Sequence, residues 1–294
     1  MSTDTLLFQH LGIKLAHVGQ SISVFGFEIA YYGMVITFGM LLAWLFIFYD
    51  AKRKGQSSDD YMDVIIWGMI LGVLGARIYY VVFSWSEYRD NLINILNIRQ
   101  GGLAIYGGII GGFIGVLLVC KKKKMRLLDV LDTVVLGVLI GQIFGRWGNF
   151  FNREAFGGYS DGLLSMQIPM EAVRDPSDIT TEMMDHLINI DGIYFISVHP
   201  TFLYESLWNL GVFLLLVYLR KKRVFVGEIW FFYLMLYGLG RFWIESLRTD
   251  QLKLIGTNIP VSQMLSAILV IVSVCYLGYH FFKMKDQLFV KKNS

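Results

Sequence analysis

The chain has 294 residues, of which 55% are hydrophobic and only 17% are charged, and its mean hydropathy is +0.54. Soluble globular proteins carry about 25% charged residues, so this composition excludes a soluble globular domain, a disordered chain and a nucleic-acid-binding protein. The formal net charge of +3 is too small to imply an anionic partner. The composition therefore predicts a protein that crosses the lipid bilayer several times.

Seven stretches are apolar and long enough to cross a bilayer, because a helix needs about 20 apolar residues to do so. We predict spans at 28–49, 61–83, 103–120, 128–151, 199–219, 227–247 and 260–282. The segment before the first span lacks the basic and apolar regions of a cleaved signal peptide. The predicted fold class is an all-α polytopic membrane protein with a single membrane domain over residues 1–294.

Basic residues alternate along the connections between the predicted spans. Sixteen of the 26 basic residues lie in clusters on alternate connections, which share one side of the membrane. Because lysine and arginine collect on the cytoplasmic side, we predict an N-terminus outside and a C-terminus in the cytoplasm. The clusters are Lys52–Lys54, Lys121–Lys124 with Arg126, Arg220–Arg223, and Lys283, Lys285, Lys291 and Lys292.

The longest connection, residues 152–198, joins spans four and five on the predicted outer side. Eight acidic and two basic residues lie in it, together with short alternating runs at Ser165–Ile168 and Tyr194–Ser197. Alternation with a period of two residues predicts strands. We therefore expect a small, partly β extracytoplasmic insertion, a head subdomain, between these two spans.

Two spans carry stripes of polar residues at helical spacing. Inserting an ionisable side chain into the membrane costs roughly 2.5–3.5 kcal/mol, so such a residue is a candidate for a functional role. Guanidinium groups bind phosphate oxygens in pairs, so stripes that face a common cavity predict a phosphate site. Arg77, which has no such stripe around it, is equally well explained by a structural role. The stripes are Gln142, Arg146, Asn149 and Arg153 in span four, and Tyr237, Arg241, Glu245 and Arg248 in span six.

Further polar residues are predicted at the same outer level of the membrane, and small residues are predicted to pack helices. The polar residues are Tyr32, Arg77, Tyr106, His199 and Glu205. Glycines at four-residue spacing allow helices to approach closely, which is the role expected of Gly107, Gly111 and Gly115 and of Gly137, Gly141 and Gly145. We expect Cys120 and Cys275 to be apolar core residues, and no metal-ligand spacing is present in the sequence.

An alternative interpretation is a transporter or channel for an anionic solute, since intramembrane arginines and glycine-rich helices suit that function too. It predicts ionisable groups throughout the depth of the bilayer and two related halves. The ionisable groups are instead predicted on the outer side, and spans one to three show no repeat in spans four to six.

The end of span four resembles a known family signature. Residues Gly145–Gly157, GRWGNFFNREAFG, match the pattern G-R-x-G-N-F-x-N-x-E-x-x-G of the bacterial prolipoprotein diacylglyceryl transferase family at eight fixed positions. The resemblance extends over about residues 25–285. Supporting segments occur in family order at Tyr31–Gly33, Gly75–Arg77, Gly101–Gly108, His199–Glu205 and Tyr237–Glu245.

The resemblance implies a transferase that moves the diacylglyceryl group of phosphatidylglycerol to the lipobox cysteine in the signal peptide of a preprolipoprotein. A thioether forms and glycerol phosphate leaves, at the outer face of the bacterial cytoplasmic membrane and without a cofactor. Arg146 and Arg241 would stabilise the departing phosphate, and Glu154 and Glu245 would orient these arginines. The implied substrate-binding residues are Tyr32, Arg77, Asn149, Asn152, Glu154, Gly157, His199, Glu205, Tyr237 and Glu245.

Tyr106 departs from the family pattern, in which many members carry a histidine that has been considered a general base for the thiol. Tyrosine has a reference pKa near 10, against about 6.5 for histidine. Three alternatives follow: a relay assisted by the phenol, another group such as His199, or ionisation of the substrate thiol by the arginines. We favour the last, with Tyr106 as a hydrogen-bonding residue of the catalytic site.

Overall fold

The computed structural model describes residues 3–98, 101–254 and 256–293, with side chains described up to residue 283. Lys285, Lys291 and Lys292, which complete the fourth basic cluster, therefore lie outside the described side chains. The chain forms two compact units, Met1–Ala43 with Val135–Ser294 and Trp44–Val134. We call them the first and the second unit and describe each by itself.

Long helices occupy the positions of all seven predicted spans. They are α1 (Tyr31–Arg53), α2 (Ser58–Phe83), α4 (Ile105–Lys123), α5 (Leu127–Asn152), α7 (Thr201–Leu219), α8 (Glu228–Leu247) and α9 (Val261–Asn293), with the short helices α3 (Trp85–Tyr88) and α6 (Thr181–Asp185) between them. Among the described residues, six helices are long and apolar enough to cross a membrane. α8 is not one of the six, because Arg241 and Glu245 lower its hydropathy. A mostly helical, polytopic membrane protein is confirmed, whereas the seventh span and the orientation stay predictions.

Short strands are β1 (Leu6–Phe8), β2 (Ile13–Leu15), β3 (Ser21–Val24), β4 (Phe27–Ala30), β5 (Met166–Pro169), β6 (Ile188–Ile190) and β7 (Ile193–Val198). Five of them form an antiparallel sheet in the order β2-β1-β5-β7-β6, and β3 and β4 form a hairpin. The strands predicted around Ser165–Ile168 and Tyr194–Ser197 are confirmed as β5 and β7. The sheet is not confined to residues 152–198, however, since β1 and β2 from the N-terminal segment extend it.

The core of the first unit lies between this sheet and the ends of two long helices. Leu6, Ile168 and Ile196 have no exposed surface, and they pack in one cluster with Phe150 of α5 and Phe202 of α7. The rings of Phe150 and Phe202 lie 4.7 Å apart. Each such side chain contributes roughly 1.5–3 kcal/mol when it is removed from water. The sheet is thereby fixed to the end of α5 and the start of α7.

In the second unit, α2 and α4 approach closely along the predicted glycine stripe. A Cβ atom built on Gly107, Gly111 or Gly115 would lie 2.3, 2.1 or 2.5 Å from a backbone carbonyl oxygen of α2. No side chain fits at these distances, so only glycine allows this packing. The packing role predicted for these three residues is confirmed.

Two predictions for small residues are wrong. A Cβ atom built on Gly141 or Gly145 would meet no atom within 4 Å, so these glycines of α5 face open space and pack against no helix. Cys275 is exposed on α9, whereas Cys120 is buried as predicted.

Candidate active site

Arg146 of α5 and Arg241 of α8 meet at a single carboxylate, that of Glu205 in α7. Nε of Arg146 forms an ion pair with Oε2 of Glu205, and Nη1 of Arg241 donates to Oε1 at 2.6 Å. Glu205 is only 4% exposed, and a buried carboxylate is tolerated only when charged donors compensate for its lost hydration. The expected convergence of Arg146 and Arg241 is present, and Glu205 is the residue that joins them.

A second buried acid completes this arginine cluster, by which we mean Arg146, Glu205, Arg241 and Glu245. Glu245 lies one turn after Arg241 in α8, and its Oε2 forms an ion pair with Nη2 of that arginine. This geometry agrees with the expectation that Glu245 orients Arg241. Among the described residues, Nη2 of Arg146 and Nε of Arg241 have no hydrogen-bond or ion-pair partner. The formal charges of the cluster cancel, and Nη2 of Arg146 and Nε of Arg241 are its two guanidinium nitrogens with every N–H group left for an anion.

Polar contacts continue one helical turn before Arg146 in α5 and Arg241 in α8. Nε2 of Gln142 donates to the hydroxyl of Tyr233 at 2.9 Å, and the Tyr233 ring stacks on that of Tyr237, with centroids 5.4 Å apart. Oε1 of Gln142 and Nδ2 of Asn209 are buried and have no partner among the described residues. Buried polar atoms are rarely left unpaired, so this level of the site has the chemistry to hold water or a hydroxyl group.

A second network surrounds Glu154, just after the end of α5. Nδ2 of Asn149 and Nδ2 of Asn152 each donate to Oε1 of Glu154 at 3.0 Å, and Arg174 donates to Oε2 at 2.6 Å. Among the described residues, the charged partner of Glu154 is Arg174, so any orientation of Arg146 by Glu154 is indirect. A long contact of 3.4 Å from Nη1 of Arg146 to Oδ1 of Asn149 links this network to the arginine cluster.

Tyr32 lies beside the Glu154 network. A Cβ atom on Gly148 would be 2.7 Å from Cδ2 of Tyr32, so the tyrosine ring packs directly on the glycine. Tyr32 is within electrostatic range of Glu154, Arg174 and Arg146. The stacking of Tyr31 on Phe151, with centroids 5.2 Å apart, holds the start of α1 against the end of α5. Glycine at position 148 is therefore required by the close approach of Tyr32.

Gly157 and His199 connect the ends of three helices. The amide of Gly157 donates to the carbonyl oxygen of His199 at 2.9 Å, and a Cβ atom on Gly157 would be 2.8 Å from the carbonyl oxygen of Leu247. Nδ1 of His199 lies 3.4 Å from the Tyr204 hydroxyl. Burial lowers the pKa of His199 from its ordinary value of 6.5, so the imidazole is neutral at pH 7. Gly157 therefore shapes the backbone, and His199 is a neutral ring beside it.

The two polar stripes end before their last predicted members. Arg153 has left the helix with a φ of 52°, and its Nη2 donates to the carbonyl oxygen of Val18 at 2.5 Å. Arg248 makes a bidentate pair with Asp250, with contacts of 2.8 and 2.6 Å. Both arginines are occupied by structural partners, which helical spacing alone could not reveal.

Arg77 and Tyr106 belong to the second unit. All five N–H groups of the Arg77 guanidinium donate to backbone carbonyl oxygens, those of Asn94, Ile95, Asn97, Gly101 and Gly102. No donor is left for a phosphate, so the geometry favours the structural interpretation of Arg77 over substrate binding. The segment that it fixes leads into α4, where Tyr106 lies half-buried in the first turn.

Three hydrogen-bonding or ion-pair partners in the site belong neither to the family signature nor to the predicted polar stripes. Arg174 pairs with Glu154, Tyr233 bonds with Gln142, and Ser206 accepts a hydrogen bond from Nε1 of Trp147 at 3.1 Å. Helical spacing could have identified Tyr233, since it lies four residues before Tyr237 and extends the polar stripe of α8. No sequence pattern identifies Arg174, because its position depends on how the connection between α5 and α7 folds.

Comparison with known proteins gives a consistent result. The profile of the prolipoprotein diacylglyceryl transferase family matches residues 20–279. A relative from Finegoldia magna, named phosphatidylglycerol–prolipoprotein diacylglyceryl transferase, is 42% identical over 253 residues, which cover 86% of this chain and 91% of the relative. A protein of the same name from Clostridium botulinum is 42% identical over 250 residues, which cover 85% of this chain and 91% of the relative. Another, from Clostridioides difficile, is 41% identical over 232 residues, which cover 79% of this chain and 84% of the relative. The chain therefore belongs to the prolipoprotein diacylglyceryl transferase family.

Proposed function

We propose that this protein transfers the diacylglyceryl group of phosphatidylglycerol to the lipobox cysteine of a preprolipoprotein signal peptide, the first step of bacterial lipoprotein maturation. The observation that carries the proposal is the arginine cluster, in which Glu205 joins Arg146 and Arg241. The relatives' name supplies the lipid donor and the prolipoprotein acceptor. The positive-inside pattern supports a multi-pass protein of the bacterial cytoplasmic membrane whose site faces the extracytoplasmic side.

In the proposed reaction, the cysteine sulfur attacks the glyceryl carbon that carries the phosphate oxygen. A C–S bond forms, the C–O bond breaks, and glycerol phosphate leaves with the electron pair, while the thiol proton passes to water before the attack. Nη2 of Arg146 and Nε of Arg241 bind the phosphate and stabilise its growing negative charge. Because Glu205 and Glu245 hold Nε of Arg146 and both Nη atoms of Arg241, the two cations are oriented before the lipid arrives.

The remaining polar residues bind the substrates around this centre. Tyr32, Asn149 and Asn152 hold the lipid headgroup next to the phosphate, with Glu154 fixing both asparagines. We keep the expectation that the substrate thiol, whose reference pKa is about 8.5, ionises next to the guanidinium groups of Arg146 and Arg241. His199 remains the alternative base because its imidazole is neutral, and the role of Tyr106 stays a prediction from the sequence.

The test replaces Arg146 or Arg241 by Gln and measures the mass of a lipobox peptide incubated with phosphatidylglycerol vesicles. The wild-type protein adds one diacylglyceryl group. We expect either variant to lose about 10²–10³-fold in rate, as enzymes do when one donor to a developing anion is removed. Arg220→Gln, at the opposite end of α7, is the control for loss of a buried arginine and should keep its rate. Near-wild-type turnover by the folded Arg146 and Arg241 variants would refute the assigned roles.

A transporter for anionic solutes is the competing function. It predicts flux of the solute across sealed vesicles and no change in the mass of the peptide. Our proposal predicts the reverse result for both measurements.

A further inference from the structure

The β3–β4 hairpin, which immediately precedes α1, exposes apolar side chains at its tip. Phe25 is 98% exposed and Phe27 is 76% exposed. Ile22 and Val24 are also exposed, and residues 22–27 include no charged side chain. A contiguous apolar surface of this kind marks a site of contact with a protein or a membrane.

The turn at the tip holds Phe25 in an unfavourable backbone conformation. Val24 pairs with Phe27, so Phe25 and Gly26 are the two central residues of the turn, with φ values of 51° and 83°. Such turns favour Asn-Gly or Asp-Gly, and a bulky residue with positive φ is rare. The strain lowers stability and the exposed ring makes no packing contact in return, so Phe25 is explained by a contact outside the chain.

An apolar groove of about 610 Å³ lies between the hairpin and α1. Its lining is mostly apolar, with Ile29 of the hairpin and Met34, Phe38 and Leu41 of α1, and it also includes Glu28 and Thr37. Met34 and Leu41 are seven residues apart, which corresponds to about 10 Å along a helix. The groove therefore runs along the side of α1, one of the helices apolar enough to cross a membrane.

We infer that the β3–β4 hairpin is a lipid-contact element that enters the bilayer beside α1, and that its groove holds an acyl chain of a membrane phospholipid. The exposed surface of the hairpin is continuous with that of α1, because β4 ends at Ala30 and α1 begins at Tyr31. Met34, Phe38 and Leu41 are themselves exposed on α1. An acyl chain matches this lining, since it is apolar, narrow and flexible enough to follow the helix. The hydroxyl of Ser21 donates to Glu28 at 2.6 Å, so the hairpin's acidic side chain is held at its base.

The test places the full-length protein in phosphatidylglycerol vesicles in which some lipids carry a photoactivatable diazirine within the acyl chain. After irradiation, covalent adducts are mapped by peptide mass spectrometry. We expect adducts on residues 21–41, at a level similar to that on the exposed α9 residues Ile271 and Val274, which serve as the membrane-facing reference.

A paired variant, Phe25→Asn with Phe27→Ser, removes the apolar tip without a folding penalty, because asparagine tolerates positive φ. We expect it to reduce adducts on the hairpin about ten-fold, given the free energy gained when phenylalanine leaves water, and to leave the α9 adducts unchanged. Adducts on the wild-type hairpin no more frequent than on Leu163, an exposed residue of the 152–198 connection, would overturn the inference. A level of hairpin adducts that falls as the protein-to-lipid ratio is raised, as expected if a second copy of the chain covers the hairpin, would also overturn it. The measurement needs no turnover, so its outcome is independent of the proposed transferase reaction.

Discussion

At the scale of single residues, Glu205 determines how the two arginines of the cluster are used. It is buried, it bonds to both guanidinium groups, and it comes from a helix that carries neither of them. Without its charge, Arg146 and Arg241 would repel each other and separate. We therefore regard Glu205 as a positioning residue that keeps the two arginines at the spacing needed for one phosphate.

Glu205→Gln should lower kcat about 100-fold, the loss that a misplacement of about 1 Å can cause. The KM for phosphatidylglycerol should not rise, because the cluster gains positive charge when the carboxylate is removed. Steady-state kinetics on a lipobox peptide separates the two parameters. The control is Glu228→Gln. Glu228 is also a buried carboxylate, but it lies at the start of α8 and accepts hydrogen bonds from the amides of Val224 and Phe225. An increase in KM with kcat unchanged would assign Glu205 to lipid binding instead.

His199 gives the folded protein a predictable dependence on pH. Its pKa is lowered by burial from the ordinary value of 6.5, so the unfolded chain binds more protons than the folded chain just below pH 6.5. Stability must therefore fall as the pH decreases through that value. In His199→Asn, the loss of thermal stability between pH 7.5 and 5.5 should be smaller than in the wild type, as measured by thermal melts in detergent. His10→Asn is the control, and an equal change in both variants would contradict the prediction.

At the scale of elements, the same glycine pattern has different outcomes in two helices. Glycines at four-residue spacing in α4 meet the carbonyl oxygens of α2, whereas Gly141 and Gly145 of α5 meet no atom within 4 Å. The spacing predicts a smooth face on the helix, but whether another helix covers that face depends on the tertiary arrangement. Sequence periodicity was sufficient for the positions of the long helices and of the first three members of each polar stripe, and insufficient for the partner of each face.

Gly111→Ala should destabilise the α2–α4 pair, since the added methyl group would lie 2.1 Å from the carbonyl oxygen of Leu71. Overpacking of this kind costs about 1–3 kcal/mol. Gly211→Ala in α7 is the matched control, because a Cβ atom there meets nothing within 4 Å and alanine favours the helix by about 1 kcal/mol. Thermal unfolding followed by circular dichroism should show a lower midpoint for the first variant and an unchanged or higher one for the second. Equal unfolding midpoints for the two variants would mean that α2 and α4 accommodate the added methyl group without loss of stability.

At the scale of the whole molecule, the site draws on residues that are far apart in sequence. The family signature and the stripes anticipated Arg146, Asn149, Glu154 and Arg241, because those patterns are local to one helix end. The partner of Glu154 was not anticipated, since Arg174 is brought to it by an irregular connection. β1 and β2 were not anticipated either, because strands of three residues are too short to show alternation, and β1 joins the sheet by pairing with β5, more than 150 residues away.

The N-terminal strands should prove essential to the stability of the first unit. Leu6 of β1 has no exposed surface and packs in the core that joins the sheet to α5 and α7, so Leu6→Ala should cost about 2–5 kcal/mol. Leu11→Ala, at a residue that is 41% exposed, should change stability by less than about 0.5 kcal/mol. Tryptophan fluorescence, which includes Trp147 beside Phe150 and Phe202, and circular dichroism should report the same lowered midpoint for Leu6→Ala. If fluorescence stayed at the wild-type midpoint, β1 would unfold separately from the helices that carry the arginine cluster.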